Sequence, residues 1–260
     1  MSLSDEQRNE ISELLTRQIR RKLAEYTPET HHMPFHTRLL GKDRMALFSF
    51  IHSINTTLGT SVFEQVAVII GRPNFKQAVH LYKGFNNTIS HNAQQVIQTI
   101  MDDLIAARRQ PNKAEEIAQI LDVAKSGNVR TIKRPTIDIF VEAIDGTEFY
   151  FDMKTAKPNI EGFVELKRKL LEWVAIRGAI DPNVIIRTLL AIPYNPYEPH
   201  PYQRWTLQGL FDLNNEILVA EEFWNFLGGQ HTYEDVLRVF EDVGIALRSE
   251  IDGKFAAFSP

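Results

Sequence analysis

The sequence predicts an α/β (α+β) protein: a central mixed sheet built around one β-hairpin, flanked by helices, with a helix-rich N-terminal half. Three observations predict it. Apolar and polar residues alternate strictly over 137–154 on either side of Asp145-Gly146, the period-two pattern of paired strands joined by a tight turn. Ahead of the hairpin, apolar residues recur at helical spacing, as in Ile11, Leu14, Leu15, Ile19 and Leu23. After it, a helical pattern at 160–177 precedes the apolar run NVIIRTLLAIP at 183–193. That order describes a strand reached through a crossover helix.

Each element has a local reason. The first helix spans 4–25, with Ser4 and Gln7 spaced for a capping box. The stretch TPETHHMPFHTRLLGKD, 27–43, holds two prolines and three histidines and reads as a polar connector. A buried helix follows at 44–58 (Met45, Leu47, Phe48, Ile51, Ile54, Leu58), with Gly59 as its stop. A further helix starts near Ser61 and runs through Phe63, Val66, Ala67 and Ile70. Helices are predicted at about 90–107 and, after Pro111, at 113–125; strands are expected within 129–154. A proline- and tyrosine-rich segment, 193–205, leads into a mostly helical end. The expected organisation is a single domain over 1–260. Its parts are a helical stretch (1–128), the hairpin with crossover helix and strand (129–193), and an aromatic loop with helices (194–260).

Composition narrows the class. With 260 residues, 43% hydrophobic and 24% charged, the chain can bury a large core without staples. The absence of cysteine excludes disulfides and thiolate metal sites and fits a reducing compartment. The acidic N-terminus has no secretion-signal pattern. No apolar run approaches the roughly 20 residues a membrane helix needs, so a soluble, cytoplasmic protein is expected. Net charge is −4, but residues 206–260 carry ten acidic against three basic side chains. The rest of the chain is slightly basic, and a polyanion would approach that part.

The hairpin is the most informative segment. A two-residue Asp-Gly loop would put Asp138 opposite Met153, burying a carboxylate. A three-residue loop, Ile144 to Gly146, puts Asp138 opposite Asp152 and Ile137 opposite Met153; hydrophobic patterning favours it. Asp138, Asp152 and Lys154 then share one expected solvent-facing side. Opposed aspartates repel and are poor strand residues, and a cation between them would remove both objections. The alternative is the solvated face of an ordinary amphipathic hairpin.

Two carboxylates on neighbouring strands, with the Met153 carbonyl between the second carboxylate and the lysine, can hold Mg²⁺, which prefers hard oxygen ligands. A lysine beside them can position a water or stabilise a phosphoryl oxygen. These groups suit phosphodiester hydrolysis.

PTID…FDMK resembles the core of PD-(D/E)XK nucleases, with Asp138, Asp152 and Lys154 as the motif and the proline at 135. MPFHTRLLGKDRMALFSFIHSINTTLGTSVFE (33–64), DMKTAKPNI (152–160) and AIPYNPYEPHPYQRW (191–205) resemble the TdeIII family of type II restriction endonucleases, over nearly the full chain. That resemblance implies a restriction-endonuclease-like core and an Mg²⁺-dependent (Mn²⁺ as substitute) enzyme cutting double-stranded DNA at a short palindrome of the GGNCC kind. It also implies a homodimer and a cognate DNA methyltransferase as genetic partner. A glutamate from a helix ahead of the sheet often joins such sites. Glu64 is the candidate here, although Ser61 and Glu64 also fit a local capping box.

Other polar groups have two readings each. Lys157 and Asn159 either contact phosphates or lie in a solvated loop. His31, His32 and His36 read as a polar loop rather than a zinc site. With Arg38, Lys42 and Arg44, His36 is a candidate grip on a phosphate backbone. Lys167, Arg168 and Lys169 read as a solvated charge run. No glycine-rich phosphate loop, HExxH or nucleophile elbow is present.

Overall fold

Ten α-helices and seven strands occur among the described residues, 3–27, 33–155, 160–202 and 207–256, of this computed structural model. By its internal contacts the chain divides into two units, Met1–Ile70 with Gly228–Pro260, and Gly71–Leu227.

The first unit is helical. α1 (Asp5–Glu25) opens on the expected capping box, in which the Ser4 side chain accepts from the Gln7 amide and the Gln7 side chain accepts from the Ser4 amide. Its buried face is Ile11, Leu14, Leu15 and Gln18. The connector at 27–43 is helical in part: Pro34–Leu40 forms α2, with proline at its first turn where no amide is needed. Its apolar residues Phe35, Leu39 and Leu40 stay exposed, so no inward-facing stripe marks it in the sequence. α3 (Lys42–Thr57) does not stop at Gly59. It passes through a π-helical turn, Leu58–Val62, into α4 (Phe63–Gly71), because a π turn carries an extra residue without ending the rod. The backbone at Ser61 is therefore already helical, which excludes a capping box with Glu64. Later in the chain α9 (Thr232–Ala246) and α10 (Arg248–Ala256) return to α1. Arg8 meets Asp235 at 2.7 Å, and Arg20 grips Glu250 through two nitrogens.

The second unit carries the sheet. Its strands are β1 (Gln77–Tyr82), β4 (Ile137–Glu142), β5 (Glu148–Met153), β6 (Ile186–Ile192) and β7 (Ile217–Val219), in the order β1-β4-β5-β6-β7. Pairing is antiparallel from β1 to β5 and parallel from β5 to β7. The fold is thus mixed α/β, with a five-stranded mixed sheet flanked by helices, consistent with a restriction-endonuclease-like fold. β1 leaves no clear sequence signal, because QAVHLY is a half-exposed strand with little alternation. The strand at 129–131 exists but joins a separate two-stranded sheet, β2 (Thr88–Ser90) with β3 (Val129–Thr131).

Within the hairpin, Ile139 opposes Phe151 and Glu142 opposes Glu148. The Ala143 amide donates to the Thr147 carbonyl at 2.9 Å, and Gly146 takes φ +86. This is the three-residue loop and the register expected.

The expected solvent-facing side is not solvated. Helices α5 (His91–Ile105), α6 (Lys113–Val123) and α7 (Ile160–Ile180) share a core with it, in which Phe140 and Tyr150 lie with Phe85, Ile97, Leu170 and Trp173. On the opposite face Phe149 and Phe151 meet Phe223 and Phe226 of α8 (Glu221–Gly228). Phe140 and Tyr150 alternate with the apolar set and so share the side of Asp138 and Asp152; two large rings there are worth roughly 1.5–3 kcal/mol each when buried, enough to draw the helices over it.

Candidate active site

Asp138 lies near the start of β4 and Asp152 near the end of β5. The hairpin register, carried one pair past Ile139–Phe151, sets them opposite each other. Asp138 Oδ2 accepts from the Met153 amide at 2.8 Å, which fastens its carboxylate across the strand pair. Asp152 is fully buried, a correction to the exposed position expected of it. Lys154 follows directly on β5. Its amide donates to the Ala191 carbonyl of β6 at 3.0 Å, so the sheet holds its backbone. The Lys154 ammonium pairs with Asp152 Oδ1, and its Nζ lies 3.5 Å from the Met153 carbonyl.

A fourth group joins these three. Lys169, on α7, pairs with the other oxygen of Asp152, and its Nζ stands 5.0 Å from the centre of the Trp173 ring. The four side chains carry two negative and two positive charges, which removes the repulsion that opposed aspartates alone would suffer. Burial pushes the Asp138 carboxyl above its ordinary range and the Asp152 charge adds to this; the Met153 amide and the two ammoniums only partly offset them. Asp152 Oδ1 is buried and accepts no aligned hydrogen bond, although Lys154 meets it as an ion pair. Two carboxylates and the Met153 carbonyl form a small, hard oxygen donor set. Among the described residues, no three histidine, cysteine, aspartate or glutamate side chains gather into a larger ligand cluster.

The other expected residues that are described belong to the helical unit. Glu64 is buried on α4, in the helical unit. His36 and Arg38 are exposed on α2; Lys42 and Arg44 are exposed in the first turn of α3, where Arg44 donates to the Leu40 carbonyl. Lys157 and Asn159, like His31 and His32, lie outside the described residues.

The charge run 167–169 divides. Lys167 is fully buried and pairs with Glu116 and Glu216, each at 2.6 Å. Lys113 meets the other Glu216 oxygen at 2.6 Å, completing a neutral buried tetrad between α6, α7 and the approach to β7. Positions 167 and 169 of a helix point about 200° apart, so one enters the core and the other faces the aspartates. Three consecutive basic residues give no signal of that split, and Lys169 could not have been singled out from the sequence.

A profile described as "Type II restriction endonuclease, HinfI" matches residues 3–244. The chain belongs to the HinfI family of type II restriction endonucleases. The type II restriction enzyme HgiCII of Herpetosiphon aurantiacus is 26% identical over 98% of this chain and 99% of its own length. HgiEI from the same organism is 27% identical over 85% of this chain and 80% of its own. MjaII of Methanocaldococcus jannaschii is 27% identical over 76% of this chain and 55% of its own. As a type II restriction endonuclease of the HinfI family the protein acts on DNA; the TdeIII likeness rests on the quoted segments alone. Among the described residues of this HinfI-family chain, no helix is long and apolar enough to cross a membrane.

Proposed function

We propose that this enzyme hydrolyses double-stranded DNA at a short palindrome in an Mg²⁺-dependent reaction, with Asp138, Asp152 and Lys154 as a PD-(D/E)XK-type centre. The observation that carries the reading is the opposition of Asp138 and Asp152, with the Lys154 ammonium on Asp152. Opposed aspartates half or fully withdrawn from water destabilise a sheet; a cation site gives them a purpose. The donor set suits Mg²⁺, which takes one or two carboxylates and keeps several waters. Asp138, Asp152 and the Met153 carbonyl would hold the ion, with Glu64 as the further carboxylate. Bound there, Mg²⁺ supplies Lewis-acid polarisation of the scissile phosphate and favours ionisation of a water. Lys154 orients the attacking water and neutralises charge building on the phosphoryl oxygens. Its sheet-anchored backbone keeps that amine in place.

Lys157, Asn159, His36, Arg38, Lys42 and Arg44 are proposed phosphate contacts, which fix position and not sequence. A palindromic site matches a two-fold homodimer. Support for a dimer comes from Phe35, Leu39, Leu40, Phe48 and Ile51, a run of exposed large apolar side chains on α2 and α3. Host DNA carrying the same site requires a partner methyltransferase that modifies it.

The test is digestion of phage DNA with and without Mg²⁺ or Mn²⁺, by the native enzyme and by Lys154→Ala. Discrete fragments are expected from the native enzyme with either ion only. Loss of cutting with retained metal binding is expected of the variant. Undiminished cutting by Lys154→Ala would refute the assigned centre.

A further inference from the structure

We propose that Lys169 is a built-in counter-cation of the aspartate pair, which a divalent ion must displace from Asp152. The inference rests on the metal-dependent reading above and adds a residue that the motif does not contain.

Asp152 is fully buried, and a buried carboxylate without a partner is costly. Its two oxygens are both taken, Oδ1 by Lys154 and Oδ2 by Lys169. One ammonium against two opposed carboxylates would leave a net negative charge inside the protein; the second balances it. An ion bringing its own charge to Asp152 must therefore replace one of the two lysines.

The structure distinguishes them. Lys154 stands one residue beyond Met153, with its amide bonded to β6 and its Nζ beside the Met153 carbonyl. Lys169 is about as exposed as Lys154, 38% against 42%, but it comes from a separate element, α7. While paired with Asp152 it already has a second partner. Trp173 lies one helical turn further along α7, with its ring centre 5.0 Å from Nζ. Residues four apart on a helix are neighbours, and an ammonium over an indole face is held by the ring quadrupole. Giving up Asp152 thus leaves the Lys169 ammonium the indole contact it already has. The cost of displacing it makes metal affinity lower than the bare carboxylates would give, and keeps the aspartates folded in the absence of metal.

Calorimetric titration of the full chain with Mn²⁺, without DNA, tests this. Lys169→Gln and Lys169→Met should each bind Mn²⁺ about tenfold more tightly than the native enzyme, as removal of one competing charge at short range implies. Lys169→Arg, which keeps the charge, should stay within about twofold of native. In thermal melts the two uncharged variants should be less stable than native without metal and gain more on Mn²⁺ addition. Equal or weaker Mn²⁺ binding by folded Lys169→Gln or Lys169→Met, beside a native enzyme that binds, would overturn the proposal and leave the metal-dependent reading standing. A native enzyme that takes up no Mn²⁺ removes both. The two variants guard against a single replacement that fails to fold.

Discussion

Glu216→Gln should cost the sheet unit far more than any surface charge replacement. Glu216 is fully buried and accepts from two ammoniums, Lys113 and Lys167, each at 2.6 Å, and from the Asp212 amide at 2.9 Å. Lys167 keeps Glu116 when the charge on residue 216 is removed; Lys113, itself 4% exposed, loses the carboxylate it is paired with. Breaking a buried pair by removing one partner costs about 3–5 kcal/mol. For a unit of this size each kcal/mol shifts the melting temperature by about 2–4 °C, so a fall of about 6–20 °C is expected. Burial already lowers the proton affinity of Lys113, and Glu216 is the largest influence opposing it. In the variant the amine sheds its proton more readily. A lysine whose folded pKa lies below its unfolded one leaves the native state with fewer protons, so stability rises with pH across that interval. The deficit of Glu216→Gln should accordingly shrink as pH rises toward the ordinary lysine value of about 10.4. Thermal and urea melts at several pH values measure this, with Lys76→Ala as reference. Lys76 pairs with Glu142 at 2.5 Å but is 62% exposed, and such a pair is worth under about 1 kcal/mol. If Glu216→Gln costs no more than Lys76→Ala, the tetrad is not the internal tie described here.

Three further outcomes are expected. Gly178→Ala places a methyl 2.6 Å from Leu121 and 2.9 Å from the Ala124 Cβ, where α7 crosses α6; overpacking of this kind should cost about 1–3 kcal/mol in urea melts. Gly146→Ala should cost about 1–2 kcal/mol through its positive φ alone, since the added Cβ meets nothing; Gly146→Asn should cost less, and equal losses would argue against the left-handed loop. Asp235, buried, is held below the ordinary aspartate range: burial alone would raise it, but Arg8, the Leu3 amide and Arg238 together outweigh that. Its folded pKa lies below the unfolded one, so its stabilisation is complete above about pH 5 and is lost as pH falls through the folded value. Asp235→Asn should lower stability at pH 7 and flatten the acid limb of the melting profile.

The hairpin was legible because each of its features is local. Alternation gave the strands, the glycine gave the loop, and the need to bury Met153 gave the register that opposes Asp138 and Asp152. What lay beyond sequence reach is what depends on a distant partner. Phe140 and Tyr150 alternate with the apolar set, so their side read as polar until α7 is seen to cover it. The same helix draws Lys167 inward and brings Lys169 to Asp152 from seventeen residues away. Gly59 read as a helix stop because a π turn leaves no compositional mark. α2 leaves no mark for the opposite reason: its apolar residues face outward, and periodicity signals a helix only through a buried face.

The helical unit is made of both extremes of the chain, 1–70 and 228–260, while the sheet unit is one uninterrupted stretch. During synthesis the sheet and its two aspartates can close as soon as residue 227 leaves the ribosome, because all their partners have already emerged. α1 must wait for α9 and α10, which emerge after the sheet unit. A ribosome that stalls late therefore releases a finished sheet beside an open bundle, with Arg8 and Arg20 deprived of their carboxylates. Proteolysis of such fragments should begin in the first seventy residues.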